Sequence, residues 1–353
     1  MRILVINPGS TSTKFAVYDG ETPLLLRSIR HKPEELAPYK TVLDQFEFRY
    51  NLVMNEIKVT NVDFNFKAVI GRGGLGKAVP GGVYEINEKM LEDTRNSPRE
   101  HACNLGCLIA HKIAQQIPGC RSFIADPVVV DELNDYARIC GIPEIKRVSI
   151  WHPLNQKAIA RRFAREIGKK YEDMNLIICH LGGGISVAAH EKGIAVDAPN
   201  ALDGEGPFSP ERAGTIPAAD LVRLCFSGKY TKEEILKMIT GKGGLNAHLG
   251  TTDLLDIEER INNGDKHAKL VLDAMIYHVA KAIAAQSAVL CGKIDAILLT
   301  GGMAHSDYLT SELRKRIDFL APTYCFPGED EMGALAGNAA AVLKGKREAK
   351  EYK

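Results

Sequence analysis

At 353 residues the chain is longer than one hydrophobic core ordinarily serves, so two domains are expected. An apolar fraction of 45%, a charged fraction of 25% and a net charge of +1 give no footing for a nucleic-acid or membrane partner, so any anion site must be built locally. No stretch reaches the roughly 18 apolar residues of a membrane span, the first apolar run (3–6) is too short for a signal peptide, and eight scattered cysteines point to a reducing cytoplasm.

In chain order, residues 3–6 predict a strand that runs into a polar turn, Asn7-Pro8-Gly9-Ser10-Thr11-Ser12-Thr13-Lys14, and resumes over 15–18. Residues 68–70 predict a strand leading to Gly71-Arg72-Gly73-Gly74. Ser97-Pro98-Arg99-Glu100 has the form of a capping box opening a helix to about Ile117. Within it His101, Cys103 and Cys107 sit among helically spaced apolar residues, which favours buried thiols over a metal site. A strand over 122–125 leads to Asp126-Pro127, and Ser149-Ile150 lead to Trp151-His152-Pro153. Residues 176–179 and 187–189 predict strands flanking His180-Leu181-Gly182-Gly183-Gly184-Ile185-Ser186. Thr231-Lys232-Glu233-Glu234 repeats the capping pattern. The longest helix is expected from Asp265 to Leu290, with Leu270, Ala274, Tyr277, Lys281 and Ala284 along it. A strand over 296–299 ends in Thr300-Gly301-Gly302, and the tail 344–353 reads as a charged, solvated end. Alternating strands and helices make this an α/β chain, whose ligands gather where strands terminate.

One pattern occurs twice: a short apolar strand, a turn of Gly with Ser or Thr, and a second strand, at 2–19 and again at 175–196. Small residues let several backbone N–H groups point inward together, which suits an anion with many oxygens. No Gly-Lys-Ser/Thr closes either turn, and a strand follows the glycines, so neither is a Walker loop or a dinucleotide fingerprint.

Asn7 to Lys14, His180 to Ser186 and Leu299-Thr300-Gly301-Gly302 together resemble the blocks of the acetokinase family, within the sugar kinase, heat-shock ATPase and actin superfamily. The resemblance covers nearly the whole chain and is nearest to the branch acting on butanoate and branched-chain fatty acids. It implies two ribonuclease-H-like domains with an interdomain nucleotide cleft: 1–148 with 331–353 as the N-terminal acetokinase domain, and 149–330 as the nucleotide-binding domain. The implied reaction is ATP + butanoate ⇌ ADP + butanoyl phosphate, with Mg²⁺, in the cytoplasm and in a homo-oligomer, a dimer or higher.

The resemblance also implies roles. Arg72 and Arg212 would offset transition-state charge, His152 would donate to an equatorial phosphoryl oxygen, and Asp126 would orient an arginine or a metal-bound water. Ser10, Ser12, Lys14, His180, Gly182, Gly183 and Gly184 would touch phosphates, Gly301, Gly302 and Asp253 the adenosine, and Asn7 and Glu331 the Mg²⁺. Where acetate kinases carry valine two positions after the first arginine, this chain has Gly74, which is expected to widen the acyl pocket and favour a four-carbon or branched acid. Alternatives are a branched-chain acid or acetate kinase, a sugar kinase on the same scaffold, or a non-catalytic actin-like nucleotide-binding protein.

Overall fold

The computed structural model describes residues 1–60 and 62–353. The chain divides into two compact units, 1–130 with 330–353, and 131–329. Residues 131–148, expected with the first domain, bond within the second. There the Asn134 N–H donates to the Val196 carbonyl, and Arg147 pairs with Asp197 and Glu205 at 3.1 Å each.

Among the described residues, the first unit forms β1 (Arg2–Gly9), β2 (Ser12–Asp19), β3 (Thr22–Arg30), β4 (Ala68–Arg72), β5 (Val83–Glu85) and β6 (Arg121–Ala125), in the sheet order β3-β2-β1-β4-β6-β5. β1 runs antiparallel to β2 and parallel to β4. The second unit forms β7 (Asn175–Leu181), β8 (Ile185–Glu191), β9 (Ile194–Asp197), β10 (Ala296–Gly301) and β11 (Thr323–Pro327), ordered β11-β10-β7-β8-β9. β7 is antiparallel to β8 and parallel to β10. The duplicated sequence pattern is therefore a duplicated topology: an antiparallel three-strand meander continued by parallel strands. Central strands β1 and β7 are buried along nearly their whole length, as sheets covered on both faces require.

The strands over 68–70, 122–125 and 296–299 and the Thr231 capping box form as expected. So does the long helix, Lys266–Val289, whose Asp265 cap accepts from His267 and Ala268. The residues named along it do not form its buried face, however. Leu270 and Tyr277 are exposed, and the buried face comprises Val271, Leu272, Met275, Ile276, Val279 and Ile283. The helix expected from Ser97 begins instead at Asn104 and ends at Ala114. The Ser97 hydroxyl is engaged by the Leu75 carbonyl at 2.6 Å, and the Glu100 carboxylate accepts from Val42, so neither half of the capping box forms. Cys103 and Cys107 are buried, and burial pushes both thiols up to about 11.

The tail is not a solvated end. The helix Glu331–Leu343 packs on β1 and β4, and beyond it Lys350 N–H donates to the Val83 carbonyl at 2.7 Å while Tyr352 is buried, its hydroxyl donating to Asp93. A count of charges hid the single aromatic anchor.

Candidate active site

In the first unit the polar turn is tighter than its sequence suggested. Gly9 pairs with Ser12, so only Ser10 and Thr11 form the bend, and Ser12, Thr13 and Lys14 belong to β2 with Lys14 opposite Asn7. Ser10 and Lys14 are exposed and Ser12 is half-buried. Arg49, from the helix Phe46–Val59, lies completely buried beneath this hairpin. Its guanidinium donates to the carbonyls of Gly9 (2.8 Å), Ser12 (2.9 Å) and Ser10 (3.2 Å), and to Thr13 Oγ1 and Gln45 Oε1. Burial lowers its pKa to about 10. These partners are neutral oxygens, so it fixes the turn and adds positive potential under it.

Asn7, Arg72 and Glu331 converge at the sheet's C-terminal edge. Glu331 Oε2 accepts from Asn7 Nδ2 at 2.7 Å and from Arg72 Nη1 at 3.0 Å. An amide and a carboxylate are a sparse set of hard oxygen donors. Among the described residues no cluster of three His, Cys, Asp or Glu offers a fuller cage. That set fits Mg²⁺, which keeps most of its waters.

Asp126 is buried at φ +39°, a left-handed conformation rare outside glycine. A reciprocal pair holds it there: its N–H donates to the Gly82 carbonyl at 2.9 Å, and its Oδ1 accepts from the Gly82 N–H at 2.8 Å. Such strain, held by neighbours, is a frequent mark of functional positions.

Gly74 does not open a pocket. A Cβ built there would lie 2.2 Å from Asn104 Oδ1 and 2.6 Å from Asn104 Cα. The space that a valine would take is filled by the start of the helix Asn104–Ala114, whose Asn104 also accepts from the Leu75 N–H at 2.7 Å. The expected link between this glycine and acyl-chain length is therefore withdrawn.

In the second unit Gly182, Gly183 and Gly184 join β7 to β8, with Gly183 exposed and its carbonyl accepting from Ser209 Oγ at 2.7 Å. A Cβ on Gly184 would collide with Arg212 Nη1 at 2.3 Å, so that guanidinium rests directly on the loop. Arg212 Nη1 donates to the Ala201 carbonyl at 3.0 Å, whereas its buried Nε has no hydrogen-bond partner among the described residues. Burial lowers its pKa, opposed by Glu211 and Asp203. An orphaned donor beside a glycine loop suits an incoming phosphoryl oxygen.

His180, at the end of β7, meets Glu329 Oε1 through Nε2 at 2.9 Å and Asn155 Oδ1 through Nδ1 at 2.9 Å. The His152 ring stacks on it, centroids 3.8 Å apart and planes 10° apart, with His152 Nδ1 2.8 Å from Ser186 Oγ. The structure thus brings His152, His180, the glycine loop and Arg212 into one neighbourhood.

A cavity of about 630 Å³ opens beside it, lined by Gly183, Asp253, Leu254, Gly302, Met303 and Asp307 among others. That volume accommodates a nucleoside. Gly301 needs φ +94° and lies so close to Leu181 that a Cβ would be 2.3 Å from its carbonyl oxygen, while Gly302 faces open space. Asp253 lines the cavity and also caps the helix Leu254–Asn262 through the Leu255 N–H.

Sequence reasoning missed Arg49, Asn155, Gln156 and Glu329. Each acts across the tertiary fold, so no local spacing signals it. Ser186 closes the segment 180–186, but its spacing alone does not mark it as a partner of His152.

The sequence profile of the acetokinase family matches residues 144–319. The chain is 62% identical to the "Probable butyrate kinase" of Bacteroides thetaiotaomicron over 100% of both chains. It is 52% identical to butyrate kinase 2 of Clostridium acetobutylicum, covering 100% of this chain and 99% of the relative. The crystal structure of Porphyromonas gingivalis acetate kinase superposes with a TM-score of 0.79 at 18% identity, over 97% of this chain and 99% of that one, a likeness of fold. A profile match and full-length identities of this size leave one conclusion: the chain belongs to the acetokinase family.

Proposed function

We propose that this protein is a short-chain carboxylate kinase that catalyses ATP + butanoate ⇌ ADP + butanoyl phosphate. The observation that carries this reading is identity of 62% and 52% along the entire chain to relatives named for butyrate. Acceptor preference rests on that identity alone, because Gly74 no longer supports it.

The chemistry suits the residues. A carboxylate is already ionised at neutral pH and needs no general base. One of its oxygens attacks the γ-phosphorus, the bond from that phosphorus to the bridging oxygen breaks, and ADP departs with the electron pair. The obstacle is repulsion between anions, together with charge spread over three phosphoryl oxygens. Arg72 and Arg212 offset that charge, and His152 donates to an equatorial oxygen. Ser10, Ser12, Lys14, His180 and the N–H groups of Gly182, Gly183 and Gly184 bind phosphates. Gly301, Gly302 and Asp253 receive the adenosine. Asp126, with no substrate proton to take, orients its neighbours. Asn7 and Glu331 would hold Mg²⁺, which when bound supplies positive charge to the phosphates. The free thiols suit a reducing cytoplasm, where we place the protein.

A hydroxamate assay with butanoate, 2-methylpropanoate, acetate and glucose tests the reading. Butanoate should give the highest kcat/KM. Turnover of glucose with none of any acid would replace it with a sugar kinase.

A further inference from the structure

We propose that a buried chain of hydrogen bonds, Tyr171–His190–Gln156–Ser186, fixes the tautomer of His152, placing its proton on Nε2 and leaving Nδ1 as an acceptor. The consequence for catalysis rests on the reading of His152 as a phosphoryl-oxygen donor; the tautomer itself does not.

The direction of the chain follows from one contact. Gln156 lies within 3.1 Å of the Ser186 backbone carbonyl and 3.0 Å of Ser186 Oγ, and only its amide nitrogen can serve that carbonyl. Its Oε1 must therefore face His190 Nε2, at 3.0 Å, so His190 Nε2 carries a proton. Burial, reinforced by the cations Lys157 and Arg161, pushes His190 well below the ordinary histidine range, so this ring is neutral and its Nδ1 accepts from the Tyr171 hydroxyl at 2.6 Å. All four members are buried, with Gln156, Ser186 and His190 at 0% exposure. The network thus has one consistent proton arrangement.

At the other end, Ser186 Oγ accepts one Gln156 N–H and keeps its own hydrogen, and His152 Nδ1, 2.8 Å away, is the acceptor within reach. His152 then holds its proton on Nε2. The stacked His180 ring, 3.8 Å away, keeps the imidazole plane from turning. Ser186 and Gln156 are positioning residues: they touch no reacting atom in the proposed reaction but leave His152 able to donate through Nε2 without first losing a proton. The family resemblance assigns a role to neither of them.

Long-range ¹⁵N–¹H correlation spectra of histidine-labelled whole protein at neutral pH read the tautomer directly, with the His152 signal assigned by its loss in His152→Asn. The expected result is a pyridine-like Nδ1 and a pyrrole-like Nε2. A pyrrole-like Nδ1, or two protonated nitrogens, overturns the proposal whatever the variants do. Ser186→Ala should mix the tautomers and lower kcat at least about tenfold, less than the roughly 10²–10³-fold for outright loss of one preorganised donor because the imidazole remains, with KM for ATP little changed. Gln156→Glu should reverse the Ser186 hydroxyl and move the proton to Nδ1. An unchanged His152 spectrum in Ser186→Ala also overturns it. The expected wild-type spectrum in a protein inactive toward every acid would leave the tautomer standing and remove the kinase reading instead.

Discussion

Arg72 and Glu331 stand 259 residues apart in the chain and meet at 3.0 Å, Nη1 to Oε2, within one compact unit. The same carboxylate oxygen accepts from Asn7, so a guanidinium, an amide and an acid form one cluster from β1, β4 and the returning C-terminal helix. A guanidinium held in this way is preorganised, and it costs no reorganisation when charge develops. Arg72→Ala should lower turnover at least about a hundredfold, a conservative floor for an arginine of this kind, with ADP affinity near wild type. Arg72→Lys should recover only part of the loss, because a point charge cannot reproduce the planar fork. Steady-state kinetics with ADP titration decide the matter, and unchanged turnover in Arg72→Ala removes the residue from the mechanism.

Gly74→Val is expected to act on stability and not on acyl-chain choice. The new Cβ would meet Asn104 Oδ1 at 2.2 Å and its backbone at 2.6 Å, and both belong to a buried helix start. Overpacking of this kind costs typically about 1–3 kcal/mol. Thermal melting should show the loss, while the butanoate-to-acetate ratio of kcat/KM in the folded fraction stays constant. A soluble, fully stable variant that favours acetate would restore the pocket argument rejected above.

These two residues mark how far the sequence could be read. The strand–turn–strand pattern predicted both hairpins because apolar runs and glycine turns are local signals, whereas the two matching domains came from the family resemblance. Arg72 stood out as a charged residue among glycines, its role came from the family resemblance, and the structure places it at the end of β4. Gly74 misled because a missing side chain says nothing about what occupies its place, and here another helix does. Arg49 was invisible, since a helical arginine ordinarily faces water and its partners in the hairpin lie 36 to 40 residues earlier. The tail failed in the opposite direction: nine of its ten residues are not aromatic, yet Tyr352 is buried and the Lys350 N–H pairs with the Val83 carbonyl.

Arg49→Met should cost more than an ordinary surface substitution. It leaves the carbonyls of Gly9, Ser10 and Ser12 without their donor. These carbonyls are partly buried, and an acceptor left with neither donor nor water costs about 1–3 kcal/mol. The expected loss in a urea titration is about 3 kcal/mol or more, non-additivity included. Arg49→Lys, with a compact ammonium, should keep some stability but weaken ATP binding, because the hairpin at Ser10 and Thr11 loses its fixed shape. A variant with wild-type stability and ATP affinity would show that the buried guanidinium is dispensable.

His190 predicts the acid side of the stability curve. Burial first, then Lys157 and Arg161, hold its folded pKa well below the ordinary value, whereas the unfolded chain titrates near 6.5. Above that pH neither state binds the proton and the folded protein keeps its full stability. Below it the unfolded state binds more protons, so stability falls as pH drops, by up to about 1.4 kcal/mol per pH unit for this one group. His31, lowered by burial and by Arg49, acts in the same direction. Comparing wild type with His190→Gln therefore isolates His190: between pH 7 and pH 5 the variant's unfolding free energy should fall less steeply, by close to one proton. Equal slopes in the two proteins would show that His190 is not the group responsible.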